Sequence, residues 1–239
     1  MKACVIVSAG TIGDYDFLKG LIPQGAPVIA ADGGYDHLPH LGIEPIAIIG
    51  DFDSLEPGSP RKFPCISYPP EKDDTDTMLA VKLGLERECD QFVMIGALGG
   101  RIDHAFANLT ALSYLREHDA YGVILDDINA VFMLCTGETY EPAKDDLLKP
   151  YDDYISIFPF GMECATVSEE GVKYPLDTYE LSAQFPLGVS NRITDPENCK
   201  ITVHAGKILV IRTRNVTKKE EEPYYDSDSD NAEQTYTEE

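Results

Sequence analysis

The chain has 239 residues, 43% of them hydrophobic, enough to bury a sizeable core as one large domain or two modest ones. Its net charge of −23 excludes general attraction to nucleic acid or to an anionic membrane. The excess is not only terminal: residues 218–239 hold nine Asp/Glu and two Lys, which leaves 33 minus 17, or 16 net negative charges, on the rest.

No apolar run reaches the ~20 residues of a bilayer span. The start "MKACVIVSAGTIGDYD" has too short an apolar run for a signal peptide, so the expected location is the cytoplasm. Six cysteines without CxxC spacing, several in apolar surroundings such as "ACVIV" and "FMLC", read as buried free thiols of a reducing compartment.

In chain order, "ACVIVSA", "PVIAA", "PIAIIG", "CISY", "QFVMIGA", "YGVILD" and "AVFMLC" read as strands. Runs so continuously apolar belong to strands covered on both faces, hence to a largely parallel sheet in an α/β domain. Between them, residues 74–88 and 103–117 read as helices. The first carries Met78, Val81 and Leu85 on one stripe and the second Ile102, Phe106, Leu109 and Leu112, with Asp74 and Asp103 as expected N-caps.

Past residue 138 the texture becomes short alternating strands: "YISIFPF", "ATVSEEGVKYPL", "TYELSA" and "KITVHAGKILVIRTR", with "HAGK" as a tight hairpin turn. The expected architecture is therefore an α/β domain over 1–137, an all-β antiparallel sandwich over 138–215, and an acidic tail over 216–239 without the apolar residues to fold.

Four clusters fall where predicted strands end: "ADGGYD" at 31–36, "GDFDSL" at 50–55, "KDDTDT" at 72–77 and "GALGGRIDH" at 96–104. Ligands of open parallel sheets bind outside the carboxyl ends of the strands, so the four loops are expected to meet at one cleft. Singly, each has a plain structural explanation as a turn or a helix cap. Together, Asp32, Asp51, Asp53, Asp73, Asp74 and Asp76 would repel one another unless a hard divalent cation such as Mg²⁺ lay among them. Gly33-Gly34 and Gly99-Gly100 let backbone N–H groups approach phosphate oxygens, and Arg101 offers a planar fork for the same atoms. The chemistry implied is transfer of a phosphorus group from a nucleotide. There is no P-loop, no HExxH and no nucleophile elbow, and His37 and His40 in "HLPH" read as surface loop residues.

The ordered set "ADGGYDHL", "IIGDFDSL", "EKDDTDTMLAVKLGLE" and "GALGGRIDHAFANL" resembles the thiamine pyrophosphokinase family, in its bacterial form, over residues 1–215. The resemblance implies an ATP-binding α/β domain, a thiamine-binding β-sandwich, and a homodimer that holds thiamine between subunits. It places Asp51, Asp53, Asp76 and Asp32 as the catalytic Mg²⁺ carboxylates. Gly33, Gly34, Asp73, Thr75, Gly99, Gly100, Arg101 and Asp103 fall around ATP, and Ser190 and Asn191 of "FPLGVSNRI" near thiamine. It implies pyrophosphoryl transfer from ATP to the thiamine hydroxyl, giving thiamine diphosphate and AMP. Whether Asp76 also accepts the hydroxyl proton is left open, as is the aromatic residue that packs on thiamine in a chain without tryptophan. The rival readings are a D-x-D glycosyltransferase, a phosphatase with an aspartyl nucleophile, and a non-enzymatic thiamine or nucleotide sensor.

Overall fold

In the computed structural model, residues 1–50, 63–67 and 74–215 are described. Every strand predicted from an apolar run forms: β1 (Ala3–Val7), β2 (Val28–Ala31), β3 (Ala47–Gly50), β4 (Cys65–Ser67), β5 (Gln91–Ile95), β6 (Tyr121–Leu125) and β7 (Asn129–Cys135). After them come β8 (Thr139–Tyr140), β9 (Tyr154–Pro159), β10 (Cys164–Glu170), β11 (Leu176–Ser182), β12 (Lys200–Ala205) and β13 (Lys207–Thr213). The helices are α1 (Tyr15–Lys19), α2 (Leu38–Leu41), α3 (Asp76–Glu86) and α4 (Ile102–Glu117), with 3-10 turns at Asp32–His37 and Pro142–Lys144.

The first sheet runs β4-β3-β2-β1-β5-β6-β7-β13-β9, and the second β11-β10-β12-β8. From β4 to β6 all neighbours are parallel, while β7, β13 and β9 join antiparallel. The second sheet is antiparallel throughout and built wholly from residues after 138. Two strands from that same half, β9 and β13, extend the first sheet beyond β7.

The first sheet is covered on both faces, as its unbroken apolar strands require. On one side Ile6, Phe92 and Met94 pack with Leu79 and Val81 of α3 and Leu112 and Leu115 of α4. On the other, Val5, Val7, Ile95 and Val210 share a core with Leu18 and Leu38 from α1 and α2 and with Val167, Leu181 and Val203 of the second sheet.

The "HAGK" turn is a correction to the hairpin expected there. β12 pairs with β10 and β8, whereas β13 pairs with β7 and β9, so Gly206 carries the chain from one sheet to the other. Ile201 and Val203 before it and Ile208 and Val210 after it are all fully buried in one core. Facing each other across that core buries both apolar rows, whereas pairing side by side would bury one face of a single sheet.

The helices also depart from expectation. Asp74 does not cap α3: Thr75 does, accepting from the Met78 N–H at 3.2 Å, while Asp74 accepts from Lys82 Nζ at 2.6 Å. Arg101 holds the cap position of α4 without a side-chain bond. Ile102 and Phe106 are 81% and 62% exposed, because the core side of α4 is Ala105, Asn108, Ala111, Leu112 and Leu115. All six cysteines are free; Cys4, Cys89 and Cys199 are buried, and Cys164 is exposed. The two histidines of "HLPH" serve packing: His37 Nδ1 lies 2.7 Å from the Tyr15 hydroxyl, and the His40 ring sits against the same tyrosine.

Candidate active site

The chain leaves β1 towards β2 on one side and returns to β5 on the other, so the carboxyl ends of β1 and β5 flank a topological switch point, where open α/β sheets bind ligands. A cavity of about 480 Å³ opens there. Of the residues expected from sequence, Asp32, Thr75, Asp76, Gly99, Gly100 and Arg101 line it, and Asp74 joins them. Four separate strand ends and helix starts thus converge.

The walls come from three loops packed so closely that side chains are excluded. A Cβ on Gly10 would overlap the carbonyl oxygens of Gly96 and Gly99, and one on Gly34 would overlap the Val7 carbonyl. Gly33 and Gly34 are not among the residues that line the cavity; Gly34 is buried against β1 and lets the turn at Asp32 come close to that strand. Asp32 holds a left-handed conformation, φ +47°, at the end of β2. Gly50 ends β3 beside it: a Cβ there would sit 3.4 Å from Asp32 Oδ1. The next residue, Asp51, lies outside the described residues, as do Asp53 and Asp73.

The first turns of both α3 and α4 border the cavity, which brings their unpaired N–H groups and dipole ends to one place. Arg101 stands at the start of α4, with Nε donating to Asp103 Oδ1 at 3.1 Å and Nη2 to Oδ2 at 2.5 Å. Asp103 is thus not a lining residue but holds the plane of the Arg101 fork. The guanidinium in turn holds the Asp103 carboxyl below its ordinary range.

Sequence reading missed the "SAGT" loop after β1, whose Ser8, Gly10 and Thr11 line the cavity, and also Thr77, His104 and Asn108. Ser8 and Thr77 share a hydrogen bond of 2.8 Å, and Asn108 Nδ2 donates to the Ala97 carbonyl at 2.7 Å, pinning the glycine loop to α4. The signal available was position alone, since "SAGT" follows the first apolar strand without any charge.

Asp32 and Asp76 bring hard oxygen donors to a cavity that also has anion-binding helix starts, a donor set suited to Mg²⁺ beside phosphate. Among the described residues no group of three or more His, Cys, Asp or Glu is arranged to hold an ion alone.

Comparison with known proteins decides the kinship. Residues 18–124 match the family model "Thiamin pyrophosphokinase, catalytic domain", and 143–208 match "Thiamin pyrophosphokinase, vitamin B1 binding domain". The chain is 31% identical over 198 residues to thiamine pyrophosphokinase of Bacillus subtilis, covering 81% of this chain and 90% of that protein. The chain belongs to the thiamine pyrophosphokinase family.

Solved thiamine pyrophosphokinases share the fold. The Bacillus subtilis crystal structure superposes with a TM-score of 0.75 at 26% identity, over 90% of this chain and 100% of that one. The Geobacillus thermodenitrificans structure gives 0.74 at 26%, over 90% and 99%. In the stretch matched by the vitamin B1 binding model, Ser190 is exposed with φ +57°, and its N–H donates to Ser156 Oγ at 2.9 Å. Asn191 is 4% exposed and turned inward. Neither lines the cavity at the β1/β5 switch point.

Proposed function

We propose that this member of the thiamine pyrophosphokinase family catalyses Mg²⁺-dependent transfer of the pyrophosphoryl group of ATP to the hydroxyl of thiamine, giving thiamine diphosphate and AMP. The observation that carries the reading is the cavity at the switch point, where Asp32, Asp76 and Arg101 meet two helix starts and a glycine-walled backbone.

ATP phosphates would lie against Arg101 and the N–H groups of the Gly99–Arg101 and Thr75–Thr77 turns. Asp103 engages the Nε and Nη2 edge of the Arg101 guanidinium and fixes its orientation, which leaves the remaining N–H groups for the phosphates. Asp32 and Asp76, with Asp51 and Asp53, would hold Mg²⁺, which when bound neutralises phosphate charge. In-line attack of the thiamine hydroxyl on the β-phosphorus depends mainly on positioning and on charge stabilisation, the two things these residues provide. One of the carboxylates, with Asp76 the first candidate, would accept the hydroxyl proton.

The second substrate would reach the cavity from the β-sandwich segment of another subunit, residues 138–215 facing residues 1–137 across a homodimer. Two exposed apolar surfaces support this. Ile102 and Phe106 stand beside the cavity on α4, and Phe185, Leu187 and Val189 lead into Ser190. Six free thiols fit a reducing cytoplasm, and no helix among the described residues is long and apolar enough to cross a membrane.

The test is incubation with ATP, Mg²⁺ and thiamine, followed by phosphorus NMR. AMP and thiamine diphosphate should appear together. Accumulation of ADP or free phosphate without AMP would show a different transfer.

A further inference from the structure

Glu169 on β10 is 1% exposed. Strand alternation puts it on the inner face with Ala165 and Val167, in the core between the two sheets. Its Oε2 accepts from Asn191 Nδ2 at 3.4 Å, and its Oε1 is buried without a hydrogen-bond partner among the described residues. Burial pushes its carboxyl up to about 7. A carboxylate buried with so little compensation is costly to the fold, so its presence calls for a reason other than stability.

The reason lies in the side chain that bonds it among the described residues, Asn191. The Asn191 carboxamide makes four bonds. Oδ1 accepts from the N–H groups of Tyr174 and Arg192, each at 3.0 Å, and Nδ2 donates to the Tyr174 carbonyl at 2.9 Å and to Glu169. The Asn191 backbone exchanges both hydrogen bonds with Ile155 of β9, at 2.9 Å each. Asn191 is therefore a clasp joining β9, the turn at Tyr174 and its own segment, and Glu169 is the contact that anchors the clasp to β10. With the Asn191 amide fully engaged inward, the groups turned outward are the exposed Ser190 and the Tyr174 ring, which is 63% exposed. Both Tyr174 backbone groups are held by one side chain, so the direction of its ring follows the Asn191 carboxamide.

We infer that Glu169 is a positioning residue for the acceptor substrate: by fixing the Asn191 carboxamide it sets Ser190 and Tyr174 in the arrangement that receives thiamine. The inference rests on the kinase reading above. It assigns Asn191 the role of holding this surface, with Ser190 and Tyr174 presenting it.

The test compares Glu169→Leu with Glu169→Gln in the full-length enzyme. Leucine removes the acceptor for Asn191, whereas glutamine keeps an oxygen in its place. Glu169→Leu should raise the thiamine KM about ten-fold, the scale of one lost buried hydrogen bond, with kcat and the ATP KM within about two-fold of the parent. Glu169→Gln should leave all three near the parent values. Amide exchange supplies a readout independent of turnover: the Tyr174 and Arg192 N–H groups should exchange at least about ten-fold faster in Glu169→Leu and not in Glu169→Gln. Should Glu169→Leu fail to fold, Asn191→Asp sets a carboxylate against Glu169 and should reproduce the KM effect, with Glu169→Gln in the same chain restoring a donor and recovering part of the loss. An unchanged thiamine KM with unchanged exchange in Glu169→Leu overturns the inference. So does a parallel loss in kcat and both KM values, which marks a merely structural role. Absence of thiamine-dependent AMP from the parent enzyme would instead sink the kinase reading, and the exchange measurement would still report on the clasp.

Discussion

Ser8 Oγ lies 2.8 Å from Thr77 Oγ1, a buried bond that ties the end of the central strand β1 to the first turn of α3, one residue beyond Asp76. Each hydroxyl is the other's partner at the cavity wall, where both residues are almost wholly buried. Thr77→Val leaves Ser8 without that partner and should cost about 1–3 kcal/mol. For a chain of this size that lowers Tm by roughly 2–4 °C per kcal/mol, readable by calorimetry. Since the same bond sets where Asp76 stands, turnover should fall as well; a variant with parental Tm would show that the pair contributes nothing.

Asp32, just past the end of β2, and Asp76, at the start of α3, line one cavity. Replacing either by Asn keeps shape and removes charge. Turnover should drop by about two to three orders of magnitude, the scale seen when transition-state charge loses a stabilising group. Far-ultraviolet circular dichroism should stay as in the parent, and unchanged turnover would remove that residue from the mechanism.

The backbone walls of the cavity predict a sharp steric limit. A methyl group at residue 34 has no room against the Val7 carbonyl, which belongs to a central strand and cannot withdraw. Gly34→Ala should lose about 3 kcal/mol or more, measured by urea unfolding.

Glu169 gives the protein a pH signature. Its carboxyl is pushed by burial from 4.5 up to about 7 in the fold. The folded state then keeps a proton that the unfolded chain has released, so the stabilisation is full below about pH 4.5 and is lost as pH rises through about 7. Glu169→Gln does not titrate. Its advantage over the parent should grow across that window to about 3 kcal/mol, at ~1.4 kcal/mol per pH unit. Equilibrium unfolding of both proteins from about pH 4 to pH 8 checks it, and parallel curves would show that Glu169 does not titrate there.

The exposed apolar surfaces at Phe106 and at Phe185 predict self-association. Sedimentation velocity should find a dimer. Phe106→Glu, which puts a charge where a second copy would bury the ring, should shift it towards monomer. A parent protein that sediments as a monomer at micromolar concentration would argue against the shared site.

The strands of the first sheet were legible in the sequence because a strand buried on both faces must be apolar at every position, which is visible one residue at a time. Asp32, Asp76 and Arg101 were legible because ionisable residues at the ends of such strands are rare without a purpose. The "SAGT" loop carries no such mark: Ser8 and Thr11 matter through position and backbone, which nothing in their chemistry announces. The stripe through Ile102 and Phe106 misled because helical periodicity says that residues share a face but not what that face meets.

What the sequence determined by itself was the parallel α/β core, the meeting of Asp32, Asp76 and Arg101 at one cavity, and the family to which the motifs point. Only the tertiary structure decided that "HAGK" turns between two sheets, that Asp103 serves Arg101, and that Asn191 faces inward onto Glu169. Those outcomes depend on which elements lie across a core from one another. Contacts between residues distant in the chain are set by packing, and local pattern holds no record of the partner.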